Sequence, residues 1–185
     1  GEIRLPRTLL ALAAGACLGL AGAALQGLLR NPLADPSLTG ASQGAALGAA
    51  AVFYFGLFPA LGGFATALGG LAGALAALGL VLWLAGAGNP SRVILAGLAV
   101  STVAGASLAA VLTLAPNPYA LQELVFWLMG SVADRGLEQL WVLLPALLLG
   151  SALLWWQRGL LHALSLGEDV AASLGFAVGR GSRWL

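Results

Sequence analysis

Lysine is absent from this chain, cysteine and histidine occur once each (Cys17, His162), and no charged side chain interrupts the 56 residues between Asp35 and Arg92. Each absence excludes something. Without a lysine there is no P-loop, and so no ATP site of that kind. One cysteine forms no intrachain disulfide and no cysteine cluster for a metal, so Cys17 reads as a small core residue. A net charge of +1 supplies no basic stripe for a nucleic acid. The uncharged stretch excludes most. A soluble domain needs charged outer faces, whereas a charge at a bilayer centre costs about 3 kcal/mol even on a lenient insertion scale. One crossing needs about 20 apolar residues, so this stretch holds two crossings and a turn.

What is present agrees. Hydrophobic residues make up 60% of the chain and charged residues 8%, against roughly 25% charged in ordinary soluble domains. The sequence predicts an all-α integral membrane protein, a multi-span helical bundle within one domain over 1–185. Spans are expected at about 8–29, 37–55, 64–85, 91–114 and 137–156. Asn31-Pro32 ends the first, because the residue before a proline is pushed out of the helical region. Asp35-Pro36 and Asn89-Pro90 each read as a cap followed by proline at the first helical position. Gly56, Pro59, Gly62 and Gly63 supply a turn, and Pro116-Asn117-Pro118 ends the fourth span. Apolar residues at 121, 124, 125 and 128 then predict a one-sided interfacial helix over about 119–129. Pro145 should kink the fifth span. The chain opens on Gly1 and closes as a new Trp-Leu segment starts, which reads as part of a longer protein. The run after Arg4 and Arg7 is too long for a signal peptide.

With five spans, Arg30, Arg92, Arg158, Arg180 and Arg183 share one side, and Arg4, Arg7 and Arg135 the other. The excess places the first group in the cytoplasm. Phe53, Tyr54, Phe55 and Phe58 then mark the outer boundary, and Trp83, Trp155 and Trp156 the inner one. Small residues recur at four-residue spacing: Gly15 and Gly19, Gly44 and Gly48, Gly69 and Gly73, then Gly97, Ser101, Gly105 and Ala109. Such stripes let helix backbones touch. The last is also a pathway-lining candidate, since its missing side chains leave a smooth wall.

Catalysis finds little footing. Gly40-Ala41-Ser42-Gln43-Gly44 matches G-x-S-x-G, but the nucleophile elbow follows a strand and both flanks here read as helix. No paired carboxylates lie within a span for a proton relay. An ion-coupled secondary transporter or an intramembrane hydrolase are the alternatives; the first wants a buried charge, the second a catalytic Ser42. No catalytic, cofactor-binding or metal-binding residue is assigned.

Three polar devices remain at the membrane faces. Outside, Arg4-Leu5-Pro6-Arg7 places two permanent cations beside a proline just before a helix, suited either to interfacial anchoring or to bidentate pairing with a partner's carboxylates. Inside, Arg30-Asn31-Pro32-Leu33-Ala34-Asp35-Pro36 puts two prolines within five residues, a stiffer reversal than a plain loop needs. After Trp156, Ser165-Leu166-Gly167-Glu168 has capping-box spacing and Gly175 offers a stop. Leu166, Val170 and Leu174 line one face, and Glu168 and Asp169 sit at the positive end. A helix this short needs docking, on its own bundle, on lipid or on a cytoplasmic partner.

In this order and on these sides, five segments resemble the permease subunits of ABC importers for iron-siderophore, haem and cobalamin. They are Arg4 through Thr8; Gln26 with Asn31 through Pro36; Ser91-Arg92 with Leu95-Ala96-Gly97; Trp127 through Gly130; and Leu164 through Gly175. The resemblance spans the whole chain. It implies about ten helices per permease, a homodimer, two separate ATP-binding subunits, a periplasmic substrate-binding protein and a bacterial inner membrane. This chain would supply helices two to six and a cytoplasmic coupling loop over about 157–183. By the same resemblance, Arg4 and Arg7 dock the binding protein, and Asn31, Leu33, Pro90 and Ser91 form cytoplasmic gates. Leu166, Gly167, Glu168, Val170, Ala171, Leu174 and Gly175 couple to the ATPase. The permease itself is no enzyme and binds no cofactor.

Overall fold

A computed structural model describes residues 4–57, 61, 63–86, 90–114, 122, 125–126, 128–132 and 137–176; of Gly63, Pro90 and Glu168 it describes the backbone alone. Helices account for nearly all of it: α1 (Arg4–Leu29), a 3-10 turn (Pro36–Thr39), α2 (Ala41–Phe55), α3 (Gly63–Ala85), α4 (Pro90–Thr113), α5 (Leu137–Trp156), α6 (Arg158–Ser165) and α7 (Glu168–Ser173). The described residues of the expected interfacial helix, 122, 125, 126, 128 and 129, are helical. Pro59, Gly62, Asn89, Pro116-Asn117-Pro118, Trp127, Arg135, Arg180 and Arg183 lie outside the described residues.

Among the described residues four helices, α1, α3, α4 and α5, are long and apolar enough to cross a membrane. The segment 37–55, expected as the second span, divides instead. Gly40, at φ +74°, separates the 3-10 turn from α2, whose 15 residues reach only about 22 Å, less than a hydrocarbon core of about 30 Å. Left-handed backbone of this kind is open to glycine and strained for other residues. Asp35 therefore directly precedes the 3-10 turn, six residues before Ala41, and α2 is capped at Gly40 without a side-chain bond. Pro145 stands inside α5, which stays helical through it.

The chain folds as two compact units, residues 36–130 and the remainder. In the first, α2 and α3 meet backbone to backbone. A Cβ added to Gly44 would lie 2.5 Å from the Ala77 Cβ, one on Gly48 would strike the Gly69 carbonyl, and one on Gly73 the Gly44 carbonyl. Between α3 and α4 the packing is by side chains: Ala77, Val81 and Ala85 against Val93, Ala96 and Val100.

The second unit joins α1, α5, α6 and α7. Its core is a small corner of Leu160, Ala163 and Leu164 from α6, Ala171 from α7 and Leu28 from α1. No described residue lies within 4 Å of a Cβ built on Gly15, Gly19 or Gly22. No residue of α5 is buried. Such exposed apolar surface suits a lipid solvent, in which leucine needs no protein cover.

Candidate docking, gate and coupling sites

Arg4 and Arg7 do not precede a helix; they occupy the first turn of α1, three residues apart on one face. Pro6 fits there because the first four helical N–H groups have no intrahelical partner. The Thr8 hydroxyl donates to the Arg4 carbonyl at 2.9 Å. Both arginines are exposed. Cations at a helix N-terminus are opposed by the helix dipole, so their placement gives α1 itself nothing and leaves the charge for something outside it.

At the other end of α1 the chain reverses tightly. Arg30 takes φ +49°, the left-handed position that usually falls to glycine after a helix. The Asn31 N–H donates to the Gln26 carbonyl at 3.2 Å and the Ala34 N–H to the Asn31 carbonyl at 3.0 Å. The Leu33 N–H donates to Asn31 Oδ1 at 2.9 Å, and Gln26 Nε2 donates to the Pro32 carbonyl at 3.0 Å. Asn31 and Gln26 thus stiffen the turn from both sides. Its tip is Leu33, 84% exposed, while Ala34 is buried.

Pro90 and Ser91 form the first turn of α4, and Ser91 is exposed. The stripe that follows is not one continuous wall. Gly97 is buried, its Cα face closed by the Leu38 carbonyl and by Thr39 Cα, 3.3 Å from an added Cβ. That contact corrects its assignment as pathway lining: the missing side chain makes room for the 3-10 turn. Among the described residues the Ser101 hydroxyl is buried without a hydrogen-bond partner, whereas those of Thr102 and Thr113 each donate to the carbonyl four residues back at 2.8 Å. Beside Gly105 stands the Gln43 side chain, 3.7 Å from an added Cβ. Only Ala109, near the far end, is open.

The coupling segment differs from its sequence reading in three ways. First, α6 precedes it; its apolar Leu160, Ala163 and Leu164 at helical spacing were a legible signal. Second, Ser165 is no cap. Its hydroxyl donates back to the His162 carbonyl at 2.7 Å, and α7 is capped by Gly167 at φ +121° without a side-chain bond. Third, Ala171 is fully buried among α6 residues, which removes it from any partner-facing set. The C-terminal stop is as expected: Gly175 takes φ +85°, its N–H donates to the Ala172 carbonyl, and the Phe176 N–H to that of Ala171, the paired bonds of a Schellman ending. Leu166, Val170 and Leu174 are exposed, so α7 presents an uncovered apolar surface beside Asp169, also exposed.

Residues 1–185 match the FecCD transport family throughout. The chain belongs to that family. Among its relatives, the ABC transporter permease YvrB of Bacillus subtilis is 40% identical over 96% of this chain and 51% of its own length. The ferric enterobactin transport system permease FepD of Escherichia coli is 42% identical over 97% of this chain and 54% of its own. A solved inward-facing metal-chelate-type ABC transporter superposes with a TM-score of 0.87 at 32% identity, covering 99% of this chain and 58% of that one. The chain spans about half the length of the curated relatives it matches. As a family member with four spanning-length apolar helices, it is a multi-pass membrane protein.

Proposed function

We propose that this chain is part of a permease subunit in an ATP-driven importer, moving an iron-siderophore or similar haem or cobalamin complex across a bacterial inner membrane. Family membership carries the reading, and the geometry supports it with one observation above others. Cations exposed at one end of α1 and a stiffened turn with an exposed leucine at the other give a single helix a docking end and a gate end. Chemistry is left to separate subunits.

In this reading Arg4 and Arg7 pair with carboxylates of a periplasmic substrate-binding protein, through planar forks that favour bidentate geometry. Asn31, Leu33, Pro90 and Ser91 close the cytoplasmic end. Leu166, Val170 and Leu174 seat α7 on one of two ATP-binding subunits, while Gly167 and Gly175 fix its two ends. Glu168 lies at the start of α7, where a carboxylate suits the helix dipole. A second permease copy completes the pathway along the dimer axis, and membrane lipid surrounds it. The substrate class rests on relatives such as FepD, a ferric enterobactin transport system permease.

The test is ATP-dependent uptake by the complete assembly in vesicles. Arg4→Glu with Arg7→Glu should abolish uptake while leaving the permease in the membrane; uptake at the unmodified rate would rule out docking there. Uptake driven by an ion gradient without ATP would replace the reading with a secondary carrier.

A further inference from the structure

Helix α6 is amphipathic, and only one of its faces is covered. At about 100° per residue, Leu160, Ala163 and Leu164 fall on one side and Arg158, His162 and Ser165 on the other. The apolar side is buried against Leu28 and Ala171, while the other three residues are exposed. The Ser165 hydroxyl is engaged with the His162 carbonyl. That leaves Arg158 and the His162 ring to face outward.

Arg158 is held in a particular way. Its guanidinium lies over the Trp155 ring, 4.3 Å from the centroid, well within cation–π range. A guanidinium on an aromatic face spends that face on the ring and keeps its in-plane N–H donors for oxygens elsewhere. Among the described residues no carboxylate takes them up, and no acidic residue stands between Glu138 and Glu168 in the chain. Glu168 and Asp169 belong to α7, which packs on the apolar side of α6 through Ala171. Nor does the position serve α6, whose dipole opposes a cation in its first turn. Depth supplies the remaining clue. Trp155 and Trp156 end the spanning-length α5 and are 71% and 82% exposed, as suits tryptophans at a bilayer boundary. Arg158 stands about 4.5 Å beyond Trp155 by helical rise, within the headgroup layer of about 5–7 Å that borders the hydrocarbon.

Resting on the permease reading above for the side of the membrane, we propose that Trp155, Arg158 and His162 form a site for the phosphate of an anionic phospholipid in the cytoplasmic leaflet. Trp155 holds the guanidinium flat, so that two parallel N–H donors meet two phosphate oxygens. The His162 ring, one turn along the same face, adds a further donor. The negative surface of that leaflet supplies the matching charge. Helix α6 is then held from both sides, by lipid outside and by the Leu28 corner inside, which gives α7 a fixed footing.

Native mass spectrometry of the complete transporter in detergent tests this, with phosphatidylglycerol and phosphatidylcholine supplied in equal amounts and the lipids retained per permease counted. The unmodified protein should retain the anionic lipid over the zwitterionic one by about tenfold, on the scale of one charge-assisted hydrogen bond. Arg158→Gln should bring the ratio near parity. Trp155→Leu and Arg158→Lys should each keep less than about half of the preference, because the first removes the platform and the second replaces a planar fork by a point charge. An unchanged ratio in Arg158→Gln would overturn the site. An undiminished one in Arg158→Lys or Trp155→Leu would reduce it to general attraction and overturn the stacked geometry. Displacement of the lipid by excess inorganic phosphate, or loss of the ATP-binding subunits in step with Arg158→Gln, would overturn it in favour of a soluble anion or a protein partner. Lipid retention needs neither ATP nor substrate, so its failure leaves the permease reading standing. Absence of ATP-driven uptake by the unmodified transporter would strike that reading and the leaflet assigned here, while the lipid counts still decide the site.

Discussion

Residues 36–130 are held by what their glycines lack, and the α1, α5–α7 unit by what its leucines fill. In the first, Gly44, Gly48, Gly69 and Gly73 remove side chains until carbonyls rest on Cα atoms. In the second, Leu160, Leu164 and Leu28 fill a corner around Ala163 and Ala171. The difference reflects two solvents. Inside lipid a leucine gains nothing by meeting another leucine, so close backbone approach and dispersion supply the attraction. At the amphipathic α6, where Leu160 and Leu164 are buried and Arg158 and His162 exposed, the ordinary hydrophobic effect applies.

Opposite substitutions should therefore break the two units. Leu164→Ala leaves a cavity in the corner and should destabilise by about 2–5 kcal/mol, while Gly73→Leu overfills the α2–α3 seam and should cost about 3 kcal/mol or more. Thermal melts in detergent, followed by helix content, compare the two; tolerance of Gly73→Leu would refute backbone contact. Gly73→Ala should still cost about 1–3 kcal/mol. In contrast, Gly79→Ala, where no described residue lies within 4 Å of the added carbon, should stabilise by up to about 1 kcal/mol through helix propensity. Two glycines on one helix would then answer the same change with opposite signs.

Smaller effects sharpen the picture at the ends of helices. Arg30→Gly relieves a left-handed residue worth roughly 1–2 kcal/mol, so the melt should rise; loss of the longer side chain's own contacts would offset part of this gain. Ser165→Ala should change stability by less than about 0.5 kcal/mol, since that hydroxyl bonds back within α6 and caps nothing. A loss near 1 kcal/mol, typical of a true cap, would restore the capping box.

Local chemistry explains which features were legible beforehand. The ends of α3, α4 and α5 follow from apolar length and prolines, and the stop at Gly175 from the freedom of glycine. Ser165 misled because its spacing to Glu168 fits a cap, yet a helix already running through 158–165 gives the hydroxyl a nearer acceptor at His162. The break at Gly40 was hidden for the opposite reason: residues 37–55 carry neither a charge nor a proline to mark it. What interrupts it is Gly97, nearly sixty positions on, which lets the Leu38 carbonyl settle onto α4.

Composition alone decided that this chain lives among lipids, because desolvating charge is costly wherever it happens along the sequence. Local sequence decided the ends of α3, α4 and α5 and the stop at Gly175, since prolines and glycines act on their immediate neighbours. Only the tertiary structure decided which glycines are occupied by a neighbouring backbone and which face open space. Gly15 and Gly73 have the same spacing partner and the same chemistry, and they differ in whether another helix approaches within a few ångströms. That is a property of two segments together, and no single stretch of sequence contains it.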